Sequence, residues 1–174
     1  LVQRLNFDYY MAGQFGTGDV IIVADHALQV IDFKYGKGVG VASHENKQMM
    51  IYGLGALSAF DFIYDISEVH MTIYQPRTDN ISTYSTTAEA LKHWGDTELR
   101  TKAALALKGE GDFVPGEHCR FCKVKPRCKA LANYNLELAA HEFKEPALLT
   151  DAEIADVLTR SDMFTKWLTA VDEY

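Results

Sequence analysis

The sequence predicts an α/β protein: a mixed central sheet of four to five strands with helices on both faces, followed by a C-terminal helical segment that carries the cysteines. Three observations predict it. Residues 18–34 hold two apolar runs joined by a very short turn, residues 43–62 follow a helical pattern, and residues 69–85 hold two more strand-like runs around a turn. The length of 174 residues, with 48 % apolar and 24 % charged content, fits an ordinary globular protein.

The two apolar runs of residues 18–34 are expected to form a hairpin. If residues 25 and 26 are its two-residue turn, residue 24 pairs with residue 27, and counting outward places Asp19 opposite Asp32. Lys34 follows Asp32 by two positions and therefore projects from the same face. Both faces of the hairpin are apolar, so we expect both to be covered.

Two carboxylates and a lysine at the rim of a buried sheet cost free energy unless something compensates their charges. A divalent metal ion bound by Asp19 and Asp32 would compensate them. The alternative is a plain ion pair between Asp32 and Lys34, with Asp19 a turn residue after Gly18.

The remaining elements are predicted in chain order. We expect an edge strand over residues 2–9, a flexible glycine-rich connection over 12–18, and a helix over 43–62 with Ser43 as its N-cap. Strands over 69–75 and 81–85 follow, with a turn at 76–80 between them. Further helices are expected over residues 86–108 after a Thr86 capping box, over 130–141, and after a Thr150 capping box.

Gln48 and Tyr52 stand four residues apart on the first predicted helix and so share one face of it. They are candidates for a site that the helix shares with the hairpin. The alternative is a core tyrosine and a surface glutamine.

The three cysteines, Cys119, Cys122 and Cys128, are odd in number and clustered, which favours a metal or cluster site in a reducing cytoplasm over disulfides. Their spacing suits three corners of a tetrahedral Zn²⁺ site or an iron–sulfur cluster. His118 as a fourth ligand would favour zinc, and ordinary free thiols are the remaining alternative.

Basic residues are interleaved with the cysteines. In a chain of net charge −7, this concentration indicates local contact with nucleic-acid phosphates, and the alternative is a solvated loop. The candidate nucleic-acid-binding residues are Lys37, Arg120, Lys123, Lys125 and Arg127.

No run of 18 or more apolar residues exists, so no membrane contact is expected. The chain begins at Leu1 on a strand-like run, and we expect it to be a fragment whose N-terminal part is absent. Three segments are predicted: a core over residues 1–112, a cysteine segment over 113–143 and an amphipathic C-terminal helix over 144–174.

The ordered set Asp19, Asp32-x-Lys34 and Gln48-x3-Tyr52 resembles the core of the PD-(D/E)xK nuclease superfamily, and within it the RecB-type branch. The amino-acid sequence of residues 16–19, 30–38 and 46–48 also resembles a family of predicted prophage-encoded exonucleases. The resemblance covers residues 1 to about 143 and implies a restriction-endonuclease-like fold. Each part of the motif set is weak alone, and the ordered group is specific.

The resemblance implies roles for these residues. Asp19, Asp32 and the main-chain carbonyl of Phe33 would hold Mg²⁺ or Mn²⁺, Lys34 would position the attacking water, and the two helix residues Gln48 and Tyr52 would orient the site or touch DNA. A further acid on an upstream helix, which the family uses, has no counterpart in this sequence.

Three C-terminal cysteines of this kind also occur in AddB-type and CRISPR-associated relatives, where an upstream cysteine joins them around a [4Fe–4S] cluster. The resemblance therefore implies such a cluster at Cys119, Cys122 and Cys128, with Zn²⁺ as the alternative. The fourth cysteine is absent from this sequence.

The expected function is metal-dependent hydrolysis of DNA phosphodiester bonds by a phage-type exonuclease. It would act in the bacterial cytoplasm on DNA, alongside phage recombination or replication proteins. One alternative is a non-catalytic DNA-end-binding module of nuclease descent. Another is an interaction protein stabilised by a cysteine-bound metal, with no nucleic-acid role.

Overall fold

The computed structural model describes residues 2–24, 26–36, 39–137 and 149–174. The chain forms two compact units, Leu1–Gly111 and Asp112–Tyr174. Their boundary lies one residue from the predicted end of the core. The predicted division between residues 143 and 144 lies outside the described residues, as do Leu1, Asp25 and Lys37.

The first unit is mixed α/β, which confirms the predicted class. Strands β3 (Val20–Ala24), β4 (Ala27–Phe33), β5 (Glu68–Gln75) and β6 (Asn80–Thr87) form a sheet in that order. Strands β4 and β5 are parallel and the other two pairings are antiparallel, so the sheet is mixed as expected.

The N-terminal segment forms a second, two-stranded sheet. Strand β1 (Gln3–Asn6) pairs antiparallel with β2 (Phe15–Gly18). The prediction of a flexible connection over residues 12–18 is therefore wrong for its last four residues. Glycine at position 16 is needed there, because a Cβ atom would lie 2.8 Å from the rings of Phe7 and Tyr52.

The predicted hairpin register is confirmed. Residue Ala24 pairs with Ala27 and Val20 pairs with Ile31, so the next step along the register places Asp19 opposite Asp32. Turn residue His26 has a positive φ of 67°, as a two-residue hairpin turn requires.

The prediction that both hairpin faces are covered, with helices on both faces of the sheet, is wrong for the described residues. On the inner face, Leu28 and Val30 are fully buried, whereas Ile22 and Phe33 on the opposite face are each 48 % exposed. The physical reason lies in β5 and β6, which extend that outer face with polar side chains. Threonines 72 and 83 hydrogen-bond there across the strands at 2.9 Å. Such a face can remain in water.

Helix α1 (Lys47–Tyr64) covers the inner face and connects parallel strands β4 and β5. Its N-cap is Asn46, whose side-chain oxygen accepts from Met49 N–H at 3.2 Å, and not Ser43 as predicted. Ser43 is instead buried in the preceding loop, where its N–H donates to Ser82 Oγ at 3.0 Å.

The core of the first unit lies between α1 and the sheet. Glycines 53 and 55 let the helix approach closely, because a Cβ on Gly55 would lie 2.6 Å from the Phe7 ring. The largest fully buried side chains of this core are those of Leu5, Leu28, Met49, Leu54, Met71, Ile73 and Leu91.

After β6 the chain forms α2 (Ala88–Trp94), a π-helical turn (Gly95–Leu99) and α3 (Arg100–Lys108). The N-cap is Thr87, which accepts from Ala90 N–H at 3.1 Å, so the predicted Thr86 capping box is wrong by one residue. The reason is that β6 continues through Thr87, which pairs with Glu68.

Among its described residues, the second unit contains two short 3₁₀ turns (Glu117–Phe121 and Lys125–Arg127), α4 (Lys129–Leu136) and α5 (Asp151–Asp172). The Thr150 capping box is confirmed, since Thr150 and Glu153 each bond to the other's backbone N–H. The part of the predicted helix over residues 138–141 lies outside the described residues. In the described part of the chain, no helix is long and apolar enough to cross a membrane.

Candidate functional site

The candidate site begins where the chain leaves the small sheet and enters the large one. Strand β2 ends at Gly18, and half-buried Asp19 follows at once. Asp19 Oδ2 accepts a hydrogen bond from Phe33 N–H at 2.8 Å, which ties the carboxylate to the end of β4. One carboxylate oxygen is thereby fixed beside the strand that carries Asp32.

Asp32 is a buried carboxylate, only 6 % exposed. Its Oδ2 atom lies 2.9 Å from Lys34 Nζ, yet receives no well-aligned hydrogen bond from any described residue. The short distance shows a close electrostatic contact, and the poor alignment means that the oxygen retains an unused lone pair. Burial of such an oxygen normally costs free energy unless a partner satisfies it.

The Gln48 amide connects the lysine to the helix. Its Oε1 accepts from Lys34 Nζ at 3.2 Å, while its Nε2 donates to Tyr52 OH at 3.1 Å and makes a long contact of 3.5 Å to Asp32 Oδ1. A lysine ammonium can only donate, so the amide oxygen must face it and the NH₂ group must face the other two oxygens. The four side chains therefore form one connected network.

Local structure explains why these side chains meet. Main-chain N–H of Lys34 donates to Tyr74 O at 2.9 Å, so the alternation of β4 continues through Lys34. The Asn46 cap starts α1 just before Gln48, and Tyr52 follows one helical turn later. The structure thus brings together Asp19 and the network of Asp32, Lys34, Gln48 and Tyr52.

The sequence reasoning missed a buried glutamine that holds the loop after β4. Gln75, only 3 % exposed, accepts from Val41 N–H at 2.7 Å and donates to Val39 O at 3.2 Å. Asn80 Nδ2 donates to the same Gln75 oxygen at 2.7 Å. A polar residue at the end of an apolar strand was the available signal.

The cysteines lie in the second unit, around its 3₁₀ turns. Cys119, Cys122 and Cys128 are half-buried free thiols. Within the described ranges, no group of three or more histidine, cysteine, aspartate or glutamate side chains is arranged to hold a metal ion. A cluster or zinc site at these cysteines stays a prediction.

The predicted basic residues of the second unit differ in how their charges are used. Arg120 pairs with Asp162 at 2.8 Å, and hydrogen bonds from Lys166 and then Arg120 hold the pKa of Asp162 below its usual value. Lys125 Nζ donates to Arg120 O at 3.4 Å, and Arg127 lies over the Tyr174 ring. The remaining candidate of this unit, Lys123, is exposed, and Lys37 lies outside the described residues.

Comparison with known proteins gives a family but no activity. No solved structure matches the chain. The model of one family matches residues 1–174, and its description reads "Protein of unknown function (DUF2800)". Because the match spans the full sequence, the chain belongs to the DUF2800 family.

Proposed function

We propose that this protein is a metal-dependent deoxyribonuclease of the PD-(D/E)xK, RecB-like kind, acting as a phage-type exonuclease. The single observation that carries the proposal is the buried Asp32 carboxylate. Its Oδ2 atom lacks a well-aligned hydrogen bond from the described residues, although Lys34 Nζ lies 2.9 Å away, and Asp19 directly precedes the opposed strand β3.

The groups present fit Mg²⁺ or Mn²⁺. Asp19, Asp32 and the main-chain carbonyl of Phe33 offer oxygen ligands, which both hard cations prefer. The unused lone pair on Asp32 Oδ2 is available to coordinate the metal. When bound, the metal polarises the scissile phosphate and lowers the pKa of a bound water.

Lys34 is the proposed electrostatic group. Its ammonium lies 2.9 Å from Asp32 Oδ2 and donates to Gln48 Oε1, so it retains donors for water or a phosphate oxygen. A fixed cation at that position stabilises the charge that develops on the phosphate during hydrolysis.

Gln48 and Tyr52 are the proposed positioning residues. Gln48 accepts from the lysine and donates to the tyrosine, so it fixes the direction of the ammonium. Since α1 also supplies the core contacts behind the sheet, the network is attached to a rigid element.

A restriction-endonuclease-like fold is part of the same proposal. It is supported by the order of an antiparallel hairpin carrying the acids, a helix on the inner face, and a parallel strand after it. The proposal extends to the second unit. There Cys119, Cys122 and Cys128 would hold a [4Fe–4S] cluster, or Zn²⁺ with His118, and the basic residues Arg120, Lys123, Lys125 and Arg127 would contact DNA.

The test is degradation of end-labelled linear DNA by the full-length protein that contains this chain. We expect cleavage in Mg²⁺ or Mn²⁺, none in a chelator, and a loss of at least about 100-fold in Asp32→Asn and Lys34→Gln, since each removes a charged group from the reacting centre. The proposed partners, phage recombination or replication proteins, can be added to the same assay in a second step.

Matched controls carry the same chemical changes elsewhere. Asp79→Asn alters an exposed turn residue, and Lys108→Gln alters the exposed end of α3, so both should cleave like the parent. Equal cleavage by parent and Asp32→Asn would contradict the proposal. DNA binding without cleavage would support a DNA-end-binding module, and neither activity would favour an interaction protein.

A further inference from the structure

A groove of ≈ 370 Å³ lies within the second unit, between its two 3₁₀ turns and the end of α5. This volume is within the range of small-ligand sites. Basic, aromatic and small apolar side chains from these three elements line it, and they include those of Arg120, Phe121, Lys123, Lys125, Ala170 and Glu173.

The groove carries an excess of positive charge. Lys123 and Lys125 line it, and the only acidic side chain among its described lining residues is that of Glu173. Arg120 is paired with Asp162 at 2.8 Å, whereas neither lysine forms an ion pair with another described residue. The Lys125 ammonium donates to Arg120 O at 3.4 Å and keeps two of its three donors. Both lysine charges are therefore available to an anionic ligand.

An exposed aromatic ring lies beside these charges. Phe121 is 78 % exposed, and its ring contacts no aromatic or cationic group of the other described residues. The Tyr174 ring of the same groove differs, because the Arg127 guanidinium lies 5.8 Å from its centroid. An open aromatic face next to cations is the combination that binds single-stranded nucleic acids, since bases stack on the ring while the cations contact phosphates.

We propose that this groove binds single-stranded DNA, with a base stacked on Phe121 and the neighbouring phosphates against Lys123 and Lys125. This inference rests on the proposed function and adds a strand preference to it. The bases of a duplex are already paired and stacked on one another, so they cannot stack on Phe121. The groove therefore favours a single-stranded segment of the DNA over a duplex.

The test measures binding of a labelled single strand and of a blunt duplex that has the same sequence. Full-length protein would be prepared without oxygen, so that any metal at the cysteines is retained, and every protein would carry Asp32→Asn, so that the DNA stays intact. Phe121→Ala should weaken binding of the single strand by between about 5-fold and about 140-fold, the range known for base–aromatic stacking. Binding of the duplex should not change. Phe121→Trp should keep the affinity for the single strand, because another aromatic ring can also stack on a base.

Lys123→Gln tests the phosphate contact separately. The association constant for a single strand falls with salt, and the slope of its logarithm against that of the salt concentration should decrease in magnitude by about 0.7 for each lost phosphate contact. Phe121→Ala removes no charge and should keep the slope of the parent. Stacking and charge are thus distinguished by two different measurements.

The matched controls are Phe113→Ala and Lys108→Gln. Phe113 is 77 % exposed on the same unit and does not line the groove, and Lys108 lies at the exposed end of α3, so both variants should bind like the parent. Thermal unfolding would verify that each variant is folded. A folded Phe121→Ala that binds the single strand like the parent, or Lys123→Gln with an unchanged salt slope, would overturn the inference.

Failure of this inference and failure of the proposed function give different results. Cleavage by the parent, together with binding that does not depend on Phe121, removes the groove and leaves the nuclease. Binding that depends on Phe121, without cleavage by the parent in Mg²⁺ or Mn²⁺, removes the nuclease and leaves the groove. A protein that does not bind DNA overturns both.

Discussion

Lys34 Nζ lies 2.9 Å from Asp32 Oδ2, two positions along the same strand and on the same face of the sheet. The carboxylate is buried, whereas the lysine side chain is 27 % exposed. This asymmetry means that the lysine can reach an incoming phosphate or water while Asp32 stays fixed in the core.

Metal binding should be detectable as an increase in the unfolding temperature. A ligand that binds only the folded state raises the free energy of unfolding, by about 2.7 kcal/mol at a free concentration of 100 times its dissociation constant. We expect Mn²⁺ to raise the unfolding temperature of the parent and of Asp79→Asn, and not that of Asp32→Asn. An equal rise in Asp32→Asn would show that the ion binds elsewhere.

Gln48→Ala should lower kcat and leave KM nearly unchanged. The amide fixes the Lys34 ammonium at 3.2 Å, and misplacement of a catalytic group by about 1 Å costs up to roughly 100-fold in rate. Steady-state kinetics on linear DNA measure kcat and KM separately. Asn133→Ala, the same kind of amide deletion at an exposed position of α4, should be neutral. A rise in KM alone would assign Gln48 to substrate binding instead.

Gly55→Ala should destabilise the first unit. The new Cβ would lie 2.6 Å from the Phe7 ring and 3.0 Å from Leu5 Cβ, so the ring or the helix must shift to accommodate it. Overpacking costs about 1–3 kcal/mol, which exceeds the gain of up to about 1 kcal/mol for alanine over glycine in a helix.

Denaturant unfolding tests whether Gly55→Ala lowers the free energy of unfolding. Ser58→Ala, exposed on the same helix, should be neutral or slightly stabilising, because it changes helix propensity without a clash. Gly55→Ala as stable as the parent would show that the Phe7 ring adjusts without cost.

The ion pair of Asp61 with Lys92, at 2.6 Å, should make part of the stability depend on pH. The hydrogen bond from Lys92 is the main cause that holds the pKa of Asp61 below its usual value, with the Ile66 N–H lowering it further against partial burial. A lowered folded pKa gives stability that is present above the unfolded pKa of about 3.9 and is lost as pH falls through the folded pKa.

Because both partners are partly exposed, the contribution should be about 1 kcal/mol or less. Asp61→Asn should therefore be less stable than the parent at pH 7, and the difference should shrink as pH falls below 4 and approach zero in stronger acid. Asp79→Asn, on an exposed turn, is the matched control. A difference that persists at low pH would come from packing rather than charge.

The cysteines give a spectroscopic prediction. Full-length protein prepared without oxygen should absorb near ~400 nm if thiolates bind an iron–sulfur cluster, and Cys122→Ser should lose that band. Colourless protein with one zinc per chain would select the zinc alternative. Protein with neither metal would show that the three residues are ordinary thiols.

Alternation and spacing determined much of the first unit. The hairpin register follows from a two-residue turn and a period of two, so the opposition of Asp19 and Asp32 could be counted directly from the sequence. The shared helix face of Gln48 and Tyr52 follows in the same way from the helical repeat. These are local properties, set by covalent geometry.

Other features were decided by the tertiary structure. Residues 15–18 form a strand because β1 offers them a partner, Ser43 is buried in a loop because Ser82 lies beside it, and the outer face of β4 is exposed because β5 and β6 continue it with polar side chains. Contacts between segments distant in sequence leave no periodic pattern in the local sequence from which they could be predicted. The network of Lys34, Gln48 and Asp32 belongs to this second class, since it exists only where α1 and β4 meet.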